Sequence, residues 1–304
     1  MNSNSREMKL NSYCILAHRI TNSLKFTCEY LSKSGNCSVY IHVDSKSNLD
    51  DFLFLKSSCV HLIKERVDVK WGDISMVLAT LNLLRNHTGD GYVTLLSADD
   101  FPLVDVSILK DFLFRLNGRN LIHFQDNRNN NVDVLKRFKF IYPVIFFRKE
   151  NNFFTKVLKK IYSLYPFMIN DEGMVFIKNH DINIYKGTQW FSLSSESVSL
   201  ILDYLKNNPG FLKSFEGTYC PDEMFFHTLI MHLKLPLYHD KKRFNDCLRY
   251  IDWDSGPQYP KILDMTDYPL LKKSKCLFAR KASDSLNRDD FIQFTKAVKN
   301  ESLY

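Results

Sequence analysis

Residues 91–103 read GYVTLLSADDFPL, and this stretch decides the fold. Its first half is a short apolar run rich in strand-forming residues, and it ends abruptly in two adjacent carboxylates, Asp99 and Asp100, and a Pro-containing turn. In an open parallel sheet, ligands bind outside the carboxyl ends of the strands, so polar groups at such an end are candidates for chemistry. Just upstream, Gly89-Asp90-Gly91 is a turn signal, and residues 73–86 carry Ile74, Val77, Leu78, Leu81 and Leu84 at helical spacing.

Further out, YIHVDSKS (40–47) repeats the arrangement, with Asp44 at the end of a strand predicted over 37–43. Strands over 12–17, 59–63, 91–96 and 120–124 alternate with helices over 21–33, 73–86 and 105–116, the rhythm of βαβ units and a mainly parallel sheet. Downstream, helices are expected over 153–165, 194–207, 222–233 and 289–300, and short strands over 189–193, 235–239, 248–252 and 276–279. DNRNNNVD (126–133) reads as an Asn-rich loop. No internal repeat appears, and the second half continues the fold of the first. The expected organisation is one domain over 1–304, in two halves, 1–125 and 126–304.

A hydrophobic share of 45% and an aromatic share of 14% exclude a disordered chain. The first 18 residues hold no apolar run long enough for a signal peptide or membrane anchor, and seven scattered cysteines lack any Cys-x-x-Cys pair. Both point to buried thiols in a reducing cytoplasm. The net charge of +7, from 41 basic and 34 acidic residues, is too small an excess for a nucleic-acid partner. The excess is concentrated: between Lys136 and Lys160 eight Lys/Arg face one acid, Glu150, interleaved with aromatics. Within it, 153–165 is an amphipathic helix with Lys156, Lys159 and Lys160 mostly on one side. It either lies on an anionic membrane or is a surface helix with a solvated charged face.

Four segments can carry chemistry. Asp44 suits a hydrogen bond from a nucleobase or ribose, or else simply forms a turn, while His42 reads as a packed strand residue. Asp99 and Asp100 could hold a divalent metal on a diphosphate, although side-by-side carboxylates lack the Asp-x-Asp spacing, and a polar turn serves equally. In CPDEMFFHTLI (220–230), Pro221 suits a first helical turn, where Asp222 and Glu223 meet the positive end of the dipole. That makes Glu223 either a candidate general base or a plain cap. His227 and His232 are five apart, without metalloprotease spacing, and read as structural. Arg249, Arg280 and Lys281 sit in or after short β-like runs, where paired cations can clamp a diphosphate without metal.

Eight segments in this order resemble the core 2/I-branching β-1,6-N-acetylglucosaminyltransferase and peptide O-xylosyltransferase family. They are ILAHR (15–19), YIHVDSKS, ERVDVKWGDISMVLATLNLL (65–84), LLSADDFPL, KGTQWFSLSSESVSLIL (186–202), CPDEMFFHTLI, LRYIDWDSGPQYPKIL (248–263) and LFARK (277–281). The resemblance implies a GT-A type α/β fold, a Rossmann-like mixed sheet flanked by helices, and a UDP-sugar donor, with inversion at the anomeric carbon. It assigns Glu223 as catalytic base and Arg249 and Lys281 as diphosphate-binding cations in place of a metal, with no cofactor. Ala17, His18, Asp44 and Asp100 fall on the uridine and sugar side, and Trp190 on the acceptor side. Ala98 stands where many members have Gly, and Asp99 is an additional acid that could restore a metal site. The implied acceptor is a glycan or lipid-linked glycan, with N-acetylglucosamine the leading donor sugar and xylose or a hexose the alternatives. Lacking the anchor and cysteine framework of animal Golgi members, the chain reads as a bacterial cytoplasmic enzyme, peripheral on the membrane's inner face through 136–165. A non-catalytic glycan- or membrane-binding protein is the rival, against which the joint presence of Glu223, Arg249 and Lys281 argues.

Overall fold

The first strand, β1 (Asn11–Ala17), alternates between two apolar cores: Tyr13, Ile15 and Ala17 enter one and Cys14 the other. A period of two with both faces apolar is what the centre of a doubly covered sheet requires. The computed structural model describes residues 9–33, 37–125, 132–148, 152–240, 245–257 and 259–299. The expected loop over 126–133 therefore falls largely outside the described residues.

After β1 come α1 (Asn22–Ser32), β2 (Cys37–Val43), β3 (Val60–Leu62), α2 (Ser75–Asn86), β4 (Tyr92–Ser97), β5 (Phe101–Pro102), α3 (Val106–Arg115) and β6 (Leu121–Phe124). The helix starts are set locally: Thr21 and Asp105 each accept a hydrogen bond from a first-turn amide, Leu24 N and Ser107 N. The second half adds α4 (Val134–Lys139), α5 (Phe153–Leu164), α6 (Asp171–Asn179), β7 (Gly187–Ser194), α7 (Ser195–Asn207), α8 (Pro209–Lys213), α9 (Phe225–His232), β8 (Arg249–Ile251), α10 (Tyr268–Ser274), β9 (Phe278–Arg280) and α11 (Arg288–Phe294).

Six strands form a mixed sheet in the order β3-β2-β1-β4-β7-β6. The strands β3, β2, β1 and β4 run parallel, and β7 is antiparallel to both β4 and β6. The order reverses between β1 and β4, so their carboxyl ends flank the crevice where such sheets take ligands. A small second sheet, β5-β9-β8, lies beyond the end of β4. One core, with α1, α3 and α11, covers one face of the large sheet; the other, with α2, α7 and α9, covers the opposite face. This is the mixed α/β, GT-A-like architecture expected.

Four expectations differ. Residues 235–239 form no strand: Leu237 makes a single bridge to Asn120, because Pro236 has no N–H and only accepts, from Asn120 N. The helix expected over 222–233 is broken at Met224 (φ −122°) into a 3-10 turn, Pro221–Glu223, and α9. The helix expected over 289–300 runs Arg288–Phe294, and residue 300 lies outside the described chain. The patch over 136–160 is not one surface either, since Phe138 and Phe146 are buried.

Candidate active site

The end of β4 is held from two sides. Thr21 Oγ1 donates to the Ala98 carbonyl, and Ser23 Oγ donates to that of Asp100 at 2.6 Å, so the start of α1 fixes the acidic turn. From the other side Ala282 N donates to the Asp99 carbonyl at 2.9 Å, and β9 pairs with β5. The small sheet thereby delivers Arg249, Arg280 and Lys281 to the two carboxylates.

Asp100 is 0% exposed and Arg249 3%. The Asp100 carboxylate accepts from Ser97 Oγ at 2.6 Å and pairs with Arg249 and Arg280, while Arg249 Nη2 donates to the Leu95 carbonyl at 2.9 Å. Burial lowers the Arg249 pKa, an effect opposed by the Asp100 charge. Neither Asp100 nor Arg249 lies on the surface, and together they form a charged floor to the crevice. Trp190 is buried beside it, with the Arg280 guanidinium 4.3 Å from its ring centroid and that of Arg249 at 5.4 Å, so it packs on the cation floor.

Above this floor Asp99 is bridged by Arg19 at 3.0 Å and Lys281 at 3.5 Å. Lys281 and Arg19 have side chains 36% and 38% exposed, and Arg19 also pairs with exposed Asp284 at 2.9 Å. Over floor and mouth together four cations thus meet three carboxylates, an excess of positive charge that lies in the floor. Among the described residues no group of three or more His, Cys, Asp or Glu is arranged to hold a metal ion. Ala17, His18 and Asp44 lie along the same edge: Asp44 N donates to the Ala17 carbonyl at 2.8 Å, and Ser47 Oγ to that of His18 at 2.6 Å. The Asp44 carboxylate is held by its own turn, accepting from Lys46 N at 3.0 Å and pairing with Lys46 Nζ. His42 is a packed strand residue, accepting at Nε2 from Val67 N, with its pKa lowered by burial.

Glu223 stands apart from this cluster. Cys220 (φ 54°) and the fixed φ of Pro221 turn the chain, and Cys220 N donates to the Gly72 carbonyl at 2.8 Å. Gly72 has φ +72° and a Cβ there would meet Cys220 Sγ at 3.3 Å, so a glycine lets the 65–84 block seat this turn. Glu223 Oε2 pairs with Arg137 at 2.7 Å and Lys186 at 3.1 Å, with its side chain 33% exposed. Beside it Asp222 Oδ1 is buried without a hydrogen-bond partner, and the Asp222 pKa is pushed up to about 7, by burial first and then by the Glu223 charge. Tyr219 lies under the Arg137 guanidinium at 5.7 Å and edge-on to Trp71, which is 46% exposed. This gives the carboxylate an aromatic wall. His227 is buried, donates from Nε2 to the His123 carbonyl at 3.0 Å and has its pKa lowered by burial to about 3, consistent with a structural role.

Arg137, Lys186 and Trp71 are absent from the sequence-based site, because they are ordinary surface-type residues far from Glu223 in the chain. The only available signal was that Lys186 and Trp71 fall inside two of the eight quoted segments. β7 links the two clusters: Lys186 precedes it and Trp190 lies four residues on, about 13 Å along an extended strand.

A carboxylate beside a cation-lined crevice at the switch point of a mixed sheet suits transfer of a group from a phosphorylated donor. The family model for the Core-2/I-Branching enzyme matches residues 12–271. The chain is also similar to the curated protein "Xylosyltransferase oxt" of Drosophila melanogaster, with 24% identity over 288 residues, and to that of Drosophila pseudoobscura pseudoobscura, with 24% over 289. Each match covers 84% of this chain but only 29% of the relative's length. With most of its length matched by the family model, the chain belongs to the Core-2/I-Branching enzyme family and has a GT-A-like α/β fold.

Proposed function

We propose that the protein is an inverting, metal-independent transferase that moves N-acetylglucosamine from its UDP donor to a hydroxyl of a glycan, forming a β-linkage. The observation that carries this reading is the solvent-reached Glu223 carboxylate, held at one oxygen by Arg137 and Lys186 beside an aromatic wall. In a single in-line displacement Glu223 takes the acceptor proton, the acceptor oxygen bonds to the anomeric carbon, and the bond from that carbon to the diphosphate oxygen breaks on the opposite face. UDP leaves with the electron pair. Lys281 and Arg19 meet the departing charge at the crevice mouth, while Arg249, Arg280 and Asp100 hold the floor beneath. General-base action of this kind contributes roughly a hundred- to ten-thousand-fold in rate.

Metal independence is supported by the oxygens of Asp99 and Asp100 being already engaged by cations, which leaves that pair poorly disposed to ligate a divalent ion. A second donor, UDP-xylose, is favoured by the two relatives' being named xylosyltransferases. The same reading places the enzyme in the cytoplasm, on a glycan or lipid-linked glycan at the membrane's inner face. UDP release should be assayed with UDP-N-acetylglucosamine, UDP-xylose and UDP-hexoses, with and without EDTA. Turnover on the first donor, unchanged by EDTA, is expected. Turnover restricted to UDP-xylose would replace the donor, and loss in EDTA with rescue by manganese would return Asp99 and Asp100 to a metal site.

A further inference from the structure

Ten of the 22 large apolar side chains that stand exposed among the described residues lie between 153 and 169. At 100° per residue Phe153, Phe154, Val157, Leu158, Ile161, Leu164 and Tyr165 fill an arc of about 140° on α5 and just beyond its end. All seven are exposed, Phe153 at 79% and Phe154 at 77%, whereas Tyr162, at the margin of that arc, is buried. The apolar face of this amphipathic helix is turned away from the protein. Phe167, Met168 and Ile169 extend it.

We propose that this face docks on an anionic lipid bilayer and brings the active site to a membrane-held acceptor. Docking itself does not depend on the proposed transfer chemistry; only its use does. Residues 153–169 contain three lysines and no acid, and Lys156 and Lys160 lie on one flank of the apolar arc, exposed. Lysine stems can lie along such a surface with their ammonium groups among lipid phosphates. A second copy of the chain fits worse, because a two-fold contact would set this acid-free basic flank against itself. At 12 residues α5 is about 18 Å long, too short to cross a bilayer, so it lies in the interface.

The face is coupled to the site. Tyr162 donates to the Ile141 carbonyl and packs on Tyr142 and Phe146; Tyr142 contacts Tyr219, which lies beneath the Arg137 that pairs with Glu223. Docking α5 therefore fixes the membrane a short way from the catalytic carboxylate.

The test is co-sedimentation of the full chain with vesicles of phosphatidylcholine alone or with phosphatidylglycerol added, at low and high salt. Two variants accompany it, Phe153→Ala/Phe154→Ala/Ile161→Ala and Lys156→Glu/Lys160→Glu. The wild type should bind the anionic vesicles and weaken in high salt. Each variant should lose binding at least roughly tenfold while UDP release with a soluble acceptor stays unchanged. Equal sedimentation with both vesicle types, or wild-type binding by both variants, would overturn the proposal. So would a wild-type dimer that the triple alanine variant dissociates, in a protein that ignores vesicles; that result would make the face a contact between copies.

Discussion

Glu223 and Asp222 are neighbours on one turn in different surroundings. Two cations hold Glu223, while Asp222 has a buried, unpartnered oxygen and a pKa raised from 3.8 to about 7. A carboxyl raised on folding binds its proton in the native state when the unfolded chain has already released it. Between pH of about 4 and 7 the native state thus holds more protons, and stability falls as pH rises through that window. Asp222→Asn should flatten this part of the profile of melting temperature against pH; an unchanged slope would remove Asp222 as its cause. Arg249 and Lys281 should separate in the same way. Arg249→Ala leaves Asp100 buried with a lost partner and should cost about 3–5 kcal/mol in denaturant unfolding. Lys281→Ala, at a half-buried pair whose Asp99 keeps Arg19 as a second partner, should leave stability within about 1 kcal/mol while weakening UDP binding. Equal stability losses would show that both cations are structural.

At the scale of elements, the site depends on β7 threading a narrow gap. A Cβ on Gly187 would collide with the His123 carbonyl and the His227 ring, both buried. Gly187→Ala should therefore destabilise the protein by about 1–3 kcal/mol and displace Lys186 from Glu223, lowering turnover as well. A variant of wild-type stability and turnover would show the gap to be yielding. Elements set by local signals were legible in the sequence: β2 spans the predicted 37–43, and β1 and α2 begin within two residues of expectation. What failed depended on context. Met224 breaks the expected long helix because the turn before it is tied to Gly72, 148 residues earlier in the chain. The short α6, α8 and α10 carry too few turns for periodicity to reveal them.

Across the whole molecule, two apolar cores on opposite faces of one sheet leave its strand ends as the place where polar chemistry gathers. Asp44, Asp99, Asp100 and Glu223 stood out as candidates because they are acids at strand ends and at a Pro-led turn set against apolar runs, and for Glu223 only the family resemblance chose a base over a cap. Their partners were not, since Arg137 approaches Glu223 across 86 residues and Arg249 approaches Asp100 across 149. Exposure was equally hidden: only packing shows that Arg249 and Trp190 are buried beneath the crevice. The proposed mechanism depends most on Glu223 as the proton acceptor, and single-turnover transfer by Glu223→Gln tests this directly, with UDP-sugar affinity measured on the same sample. The amide keeps the size of the carboxylate but not its capacity to take a proton, so transfer should fall at least a hundredfold with donor affinity within a few-fold of wild type. Transfer at the wild-type rate would exclude Glu223 as the base.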